Sequence, residues 1–132
     1  SANDYNFSFS GLKSSVVNLV HNENQKHQEI NKEDLACSFQ TAAVEQIKRK
    51  VILAINNYQV KNMIVAGGVS ANMYLRTQIQ EITDQYDIKL TIPKLTYCTD
   101  NAAMIGAAAY PLYLKKQFAN LSLNASSQSN EL

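Results

Sequence analysis

The residues able to do chemistry in this chain are concentrated in two short stretches. The first is Ile64-Val65-Ala66-Gly67-Gly68-Val69-Ser70-Ala71-Asn72. An apolar run that passes through two glycines into a helix brings backbone N–H groups and a helix N-terminus to a sheet edge. That geometry favours phosphates and lets a flat nucleotide approach the backbone closely. Taken alone, Gly67-Gly68 is also an ordinary tight connection between strand and helix. Asn72 adds an amide that can donate and accept toward a ligand, and it can equally cap the helix. Arg76, four residues on, shares its helical face, and its plainest role is that of a surface or ion-pairing residue. The second stretch is Tyr97-Cys98-Thr99-Asp100-Asn101, at the mouth of the last helix. Asp100 there is either an N-cap or a carboxylate ligand for a metal, with Asn101 supporting it. One carboxylate does not make a metal site, so further ligands have to come from elsewhere. His21 and His27 are six apart in a polar stretch. Neighbours on a helix face are three or four apart, so both histidines read as exposed. No residue is assigned a catalytic role.

The elements that position these stretches follow from periodicity. Tyr5, Phe7 and Phe9 alternate with Asn6 and Ser8, which predicts a short strand. Ser10-Gly11 then opens a helix, Gly11 permitting the bend, and the helix ends near residues 22–25. A long helix is expected from Lys32 to Tyr58, capped by Asn31, with Glu33 and Asp34 placing negative charge in its first turn. Ala36, Phe39, Ala43, Ile47, Val51, Ala54 and Tyr58 step by three or four and form its expected core-facing stripe. Lys61 to Ala66 reads as a strand buried on both faces. A helix from Ala71 to Gln85, a strand from Lys89 to Pro93, a loop over 94–99 and a helix from Asp100 complete the pattern. Pro111 is expected to end or kink that last helix. Alternation of buried strands with helices is an α/β layer pattern.

Composition narrows the function classes. Hydrophobic residues make up 45% of the 132, enough for one domain with a real core. With 17% charged residues and a net charge of +1, no general electrostatic case for nucleic acid arises. Lys48-Arg49-Lys50 and Lys115-Lys116 are the densest basic runs and read as solvated helix faces. Cys37 and Cys98 read as reduced, buried thiols rather than a disulfide framework. No apolar run approaches the roughly 18 residues that span a bilayer, so the expectation is a soluble, cytoplasmic protein with no membrane association. Residues 1–4 read as a tag remnant or linker, 5–118 as the α/β unit, and 119–132 as a disordered polar tail.

Four blocks together resemble one family. Asn6-Phe7-Ser8-Phe9-Ser10-Gly11-Leu12-Lys13 is similar to its Phe-Ser-Phe-Ser-Gly-Leu-Lys block, and Ala36-Cys37-Ser38-Phe39-Gln40 to its Ala-x-Ser-Phe-Gln helix. Gly67-Gly68-Val69-Ser70-Ala71-Asn72 with Leu75-Arg76 resembles Gly-Gly-Val-x-Ala-Asn-x-x-Leu-Arg. Cys98-Thr99-Asp100-Asn101-Ala102-Ala103-Met104-Ile105 resembles Cys-Thr-Asp-Asn-(Gly/Ala)-Ala-Met-Ile. The family is TsaD, also called Kae or YgjD, known earlier as O-sialoglycoprotein endopeptidase.

The resemblance implies one lobe of the actin/Hsp70/hexokinase-like ATPase (ASKHA) fold. It implies transfer of threonylcarbamoyl from threonylcarbamoyl-AMP to the adenosine 3′ to the anticodon, in tRNAs that read ANN codons. It also implies TsaB and TsaE as partners and one divalent metal, iron before zinc or magnesium. Residue by residue, Asp100 matches the family's metal-binding aspartate, Asn72 its substrate-contacting asparagine, and Gly67 and Gly68 its nucleotide-side turn. The family's His-x-x-x-His motif is absent from these 132 residues, so the chain reads as a C-terminal piece that is inactive alone and prone to self-association. A lobe of another kinase of the same fold and a non-catalytic TsaB-like scaffold lobe are the competing readings. The Cys98-Thr99-Asp100-Asn101 block tells against the first, and retention of Asp100 and Asn72 against the second.

Overall fold

The computed structural model describes residues 5–124. Residues 1–4, expected to be a tag remnant or linker, and 125–132, the larger part of the expected tail, lie outside the described residues. Helix α1 spans Ser10–Gln25 and α2 spans Lys32–Tyr58, followed by strand β1 over Asn62–Ile64. Helix α3 spans Met73–Gln85, β2 spans Lys89–Thr91 and α4 spans Ala102–Leu114, with short 3-10 turns at Gly68–Ala71 and Leu95–Tyr97. The two strands pair in parallel, Asn62 opposite Lys89, Met63 opposite Leu90 and Ile64 opposite Thr91. A parallel pair needs a crossover connection, and α3 supplies it. The architecture is α/β.

Helix α2 has the predicted bounds because its ends are encoded locally. The Asn31 side chain accepts a hydrogen bond from the Asp34 N–H at 3.1 Å. At the other end Gln59 turns left-handed at φ 49° and its N–H closes on the Ile55 carbonyl. The core-facing stripe is rotated from the expected one. Val44 and Ile55 are its buried residues, with Ile47, Val51 and Ile52 packed beside them, while Ala36, Phe39 and Tyr58 are exposed. A helix of 27 residues is about 40 Å long at 1.5 Å per residue. Both ends therefore overhang the small core.

That core joins Val44 and Ile55 to Leu75, Ile79 and Ile82 of α3 and to Ile88 ahead of β2. Met63, Val65 and Leu90 pack onto it from the strands. Helices thus cover one face of the sheet. Ile64, 75% exposed, points the other way together with Ala66 and Thr91. The expectation of strands buried on both faces is corrected: alternation puts every second side chain on the face that nothing in the described chain covers.

The expectations at Tyr5–Phe9, Pro111 and Cys37 are corrected as well. No strand forms over Tyr5–Phe9. An extended segment becomes a strand only by pairing, and here the aromatic rings make side-chain contacts instead, Phe7 stacking on its neighbour Phe9 at 5.7 Å and Tyr5 lying 5.8 Å from Tyr58 at the end of α2. Pro111 does not end α4, which runs three residues further to Leu114. The bond that Pro111 removes is one on an exposed turn, where water can serve the freed carbonyl. Of the two cysteines, Cys98 is buried but Cys37 is exposed. Residues 119–124 form an exposed turn in which the Asn120 Oδ1 accepts from the Ser122 N–H at 3.0 Å. No helix among the described residues is long and apolar enough to cross a membrane.

Candidate functional site

Both candidate loops leave the sheet at the same edge. Parallel neighbours point their carboxyl ends the same way, so the turn after β1 and the loop after β2 emerge side by side, at the place where open α/β sheets bind ligands.

The turn after β1 depends on Gly67, at φ 90° and ψ 173°, a region that essentially only glycine adopts. The turn is closed internally. Ser70, 1% exposed, donates from its Oγ to the Gly67 carbonyl at 2.6 Å, and its N–H reaches the same oxygen at 3.0 Å. A Cβ built on Gly67 or on Gly68 meets nothing within 4 Å. The turn therefore faces open space, which is what close approach by a ligand requires. The helix start differs from the expected Ala71. A 3-10 turn over Gly68–Ala71 intervenes, and α3 begins at Met73.

Asn72 is the N-cap of α3. Its Oδ1 accepts from the Leu75 N–H at 2.9 Å, and its Nδ2 donates to Gln40 Oε1 on α2 at 2.9 Å. The amide keeps a second N–H and a second lone pair, so capping and ligand contact are compatible here. Gln40, half-buried in the structure, was given no role by reading the sequence. It closes the Ala36–Gln40 block, but that block does not say which residue it meets.

Arg76 is not a surface residue, and it forms no ion pair among the described residues. It is half-buried; its Nε donates to the Ser70 carbonyl at 2.5 Å, and its Nη2 donates to the Pro93 carbonyl at 2.7 Å and to Cys98 Sγ at 3.1 Å. The turn after β1 and the loop after β2 are thereby tied together. Nothing local announces this, because the partners of Arg76 lie up to 22 positions away.

The loop after β2 removes the cap reading of Asp100. Helix α4 starts at Ala102, and its cap is Asn101, whose Oδ1 accepts from the Met104 N–H at 2.9 Å and whose Nδ2 donates to the Thr99 carbonyl at 2.8 Å. Asp100 is exposed and is not the cap. Its carboxylate is free for a ligand. The described residues nonetheless contain no group of three histidine, cysteine, aspartate or glutamate side chains arranged to hold a metal ion. Asp100 is a single potential ligand, and the residues present do not make the metal site that the resemblance implies. His21 and His27 are both exposed, as expected. A groove of about 510 Å³ beside β2, lined by Arg76, Gln80 and Ile92 among others, does not include Gly67, Gly68, Asn72 or Asp100. Those four occupy an open edge.

Against known proteins, the family model for TsaD, tRNA N6-adenosine threonylcarbamoyltransferase, matches residues 1–107. A tRNA N6-adenosine threonylcarbamoyltransferase of Staphylococcus haemolyticus is 52% identical over 120 residues, 91% of this chain and 35% of its own length. One of Moorella thermoacetica is 47% identical over 123 residues, 93% of this chain and 36% of its own. One of Oenococcus oeni is 49% identical over 127 residues, 96% of this chain and 37% of its own. The chain therefore spans about a third of the length of the curated relatives it matches.

Proposed function

The chain belongs to the TsaD family of tRNA N6-adenosine threonylcarbamoyltransferases, and from that premise we propose that it is the C-terminal part of such an enzyme, one lobe of an actin/Hsp70/hexokinase-like fold. The whole protein transfers threonylcarbamoyl from threonylcarbamoyl-AMP to the adenosine 3′ to the tRNA anticodon. It works in the cytoplasm with TsaB and TsaE, and the isolated chain is inactive. The observation that carries this reading is the shared sheet edge, where Arg76 ties an open glycine turn to the loop that carries the exposed Asp100.

An exocyclic adenine amine is a weak nucleophile. Transfer depends on holding it in line with the departing AMP and on polarising the carbamoyl carbonyl. In this reading the Gly67-Gly68 backbone admits the adenylate, and the spare amide capacity of Asn72 contacts the substrate. Asp100 is one carboxylate of a divalent-metal site, iron being the metal that the resemblance suggests, completed by ligands outside these residues.

The test is transfer of labelled threonylcarbamoyl from its adenylate to unmodified tRNA. The full-length protein with its partner proteins is expected to label tRNA, and the 132-residue chain alone is not. A full-length protein that instead phosphorylates a sugar or acetate from ATP overturns the reading in favour of a kinase. One that binds the partner proteins but neither transfers nor phosphorylates is a scaffold.

A further inference from the structure

Arg76 spends its guanidinium on holding backbone rather than on balancing charge. None of its recorded hydrogen bonds goes to a carboxylate. We infer that Arg76 is a positioning residue that holds the Asp100 loop in register with the Gly67-Gly68 turn. The activity readouts of this inference rest on the transferase reading above; its structural readout does not.

The geometry forms a series. Ser70 is buried and locked back onto the Gly67 carbonyl, so the oxygen that it offers Arg76 is fixed to the glycine turn. On the other side Pro93 and Cys98 bracket the loop after β2. Cys98 is 3% exposed and its thiol lies 3.5 Å from the Lys94 carbonyl, so the sulfur too is fixed. Asp100 follows two residues later. Along the chain, Gly67 and Asp100 are separated by all of α3 and β2, whereas the route through Ser70, Arg76 and Cys98 crosses three hydrogen bonds and ends two residues before Asp100. A planar guanidinium sets the directions of its donors, which a lysine ammonium on a flexible stem does not. Arginine at this position therefore fixes a relative orientation as well as a distance.

If the two loops carry different parts of the reaction, loosening the clamp leaves adenylate binding by the turn intact and misplaces the carboxylate. A misplacement of about 1 Å costs up to about a hundredfold in rate. The test is Arg76→Lys in the full-length protein, with Cys98→Ala as a milder variant that removes one of the three contacts. For Arg76→Lys, kcat is expected to fall by about tenfold to a hundredfold with KM for threonylcarbamoyl-AMP unchanged. Amide exchange is expected to speed up in both 67–72 and 93–101 while α2 stays protected. Cys98→Ala should show the same pattern in smaller measure, and it carries the test should Arg76→Lys not fold. Wild-type kcat in a folded Arg76→Lys protein overturns the inference. So does a loss of exchange protection that extends equally to α2, which would make Arg76 a general stability residue. If the wild-type protein transfers nothing, the transferase reading fails, and exchange alone decides: faster exchange in both loops supports the clamp, and unchanged exchange overturns it.

Discussion

At the scale of single residues, Asp100 and Asn101 separate two roles that adjacent capping side chains would otherwise blur. Asn101 caps α4, so Asn101→Ala should cost about 1 kcal/mol of stability, as loss of an N-cap does. Asp100 carries no such duty. Asp100→Asn is expected to leave the thermal unfolding midpoint of the full-length protein unchanged while transfer rate and metal content fall sharply. A variant with full rate and full metal content would make Asp100 a bystander. The two glycines divide in a similar way. Gly67→Ala forces an alanine to φ 90° and should cost about 1–3 kcal/mol. Gly68 has no such backbone demand and open space at its Cβ position, so Gly68→Ala should keep stability within about 1 kcal/mol while weakening adenylate binding. Calorimetric titration with an adenylate analogue checks this, and undiminished affinity would mean that no ligand approaches Gly68. The glycine turn was legible in the sequence because an apolar strand running into Gly67-Gly68 has few ways to turn. The position of the α4 cap was not, because Asp and Asn cap about equally well and only the backbone path chooses between neighbours.

Among elements, α2 and α3 hold one another by more than apolar contact. Lys48 Nζ donates to Gln78 Oε1 on α3 at 2.6 Å and pairs with Glu45 on its own helix at 2.8 Å. The hydrogen bond to Glu45 is the main cause holding the Lys48 ammonium above the ordinary lysine value of 10.5, with burial working against it. A raised folded-state value means that the contribution is fully present below pH 10.5 and fades as pH climbs past the raised value. The melting temperature of wild type should therefore exceed that of Lys48→Met at about pH 8, and the gap should shrink as pH rises past 10.5. A gap that is constant over this range would assign the difference to packing of the lysine stem. The bounds of α2 could be read because cap, first-turn acids and stripe are local signals that agree. The aromatic alternation at Tyr5–Phe9 misled because a strand is a paired object, and no sequence window contains its partner.

For the whole molecule, the decisive fact is that one sheet face is open. Ile64, Val69 and Met73 stand exposed near it. The apolar helix α4 buries none of its thirteen residues, leaving Met104, Ile105, Tyr110 and Leu112 in solvent. Soluble monomers rarely show contiguous apolar patches beyond a few hundred Å². The isolated chain is therefore expected to pair with a second copy through these apolar residues, those of α4 foremost. Light scattering across a concentration series should give a dimer mass, and a monomer mass at the highest concentration would refute the prediction. Replacing Ile105 and Leu112 together by lysine should return the chain to monomer without loss of helix content, since neither side chain packs into the core.

The sequence by itself determined the α/β class, the bounds of α2, the glycine turn and the family, because each is written in neighbouring residues as caps, periodicity or ordered motifs. Tertiary structure alone decided that Arg76 binds three backbone and thiol partners, that Gln40 meets Asn72, and that Asp100 is left without a cap to make. Those facts depend on which residues lie adjacent after α3 has crossed from β1 to β2. Contacts between segments 17 to 32 positions apart are set by strand register and helix docking, and no local pattern of residue types records them.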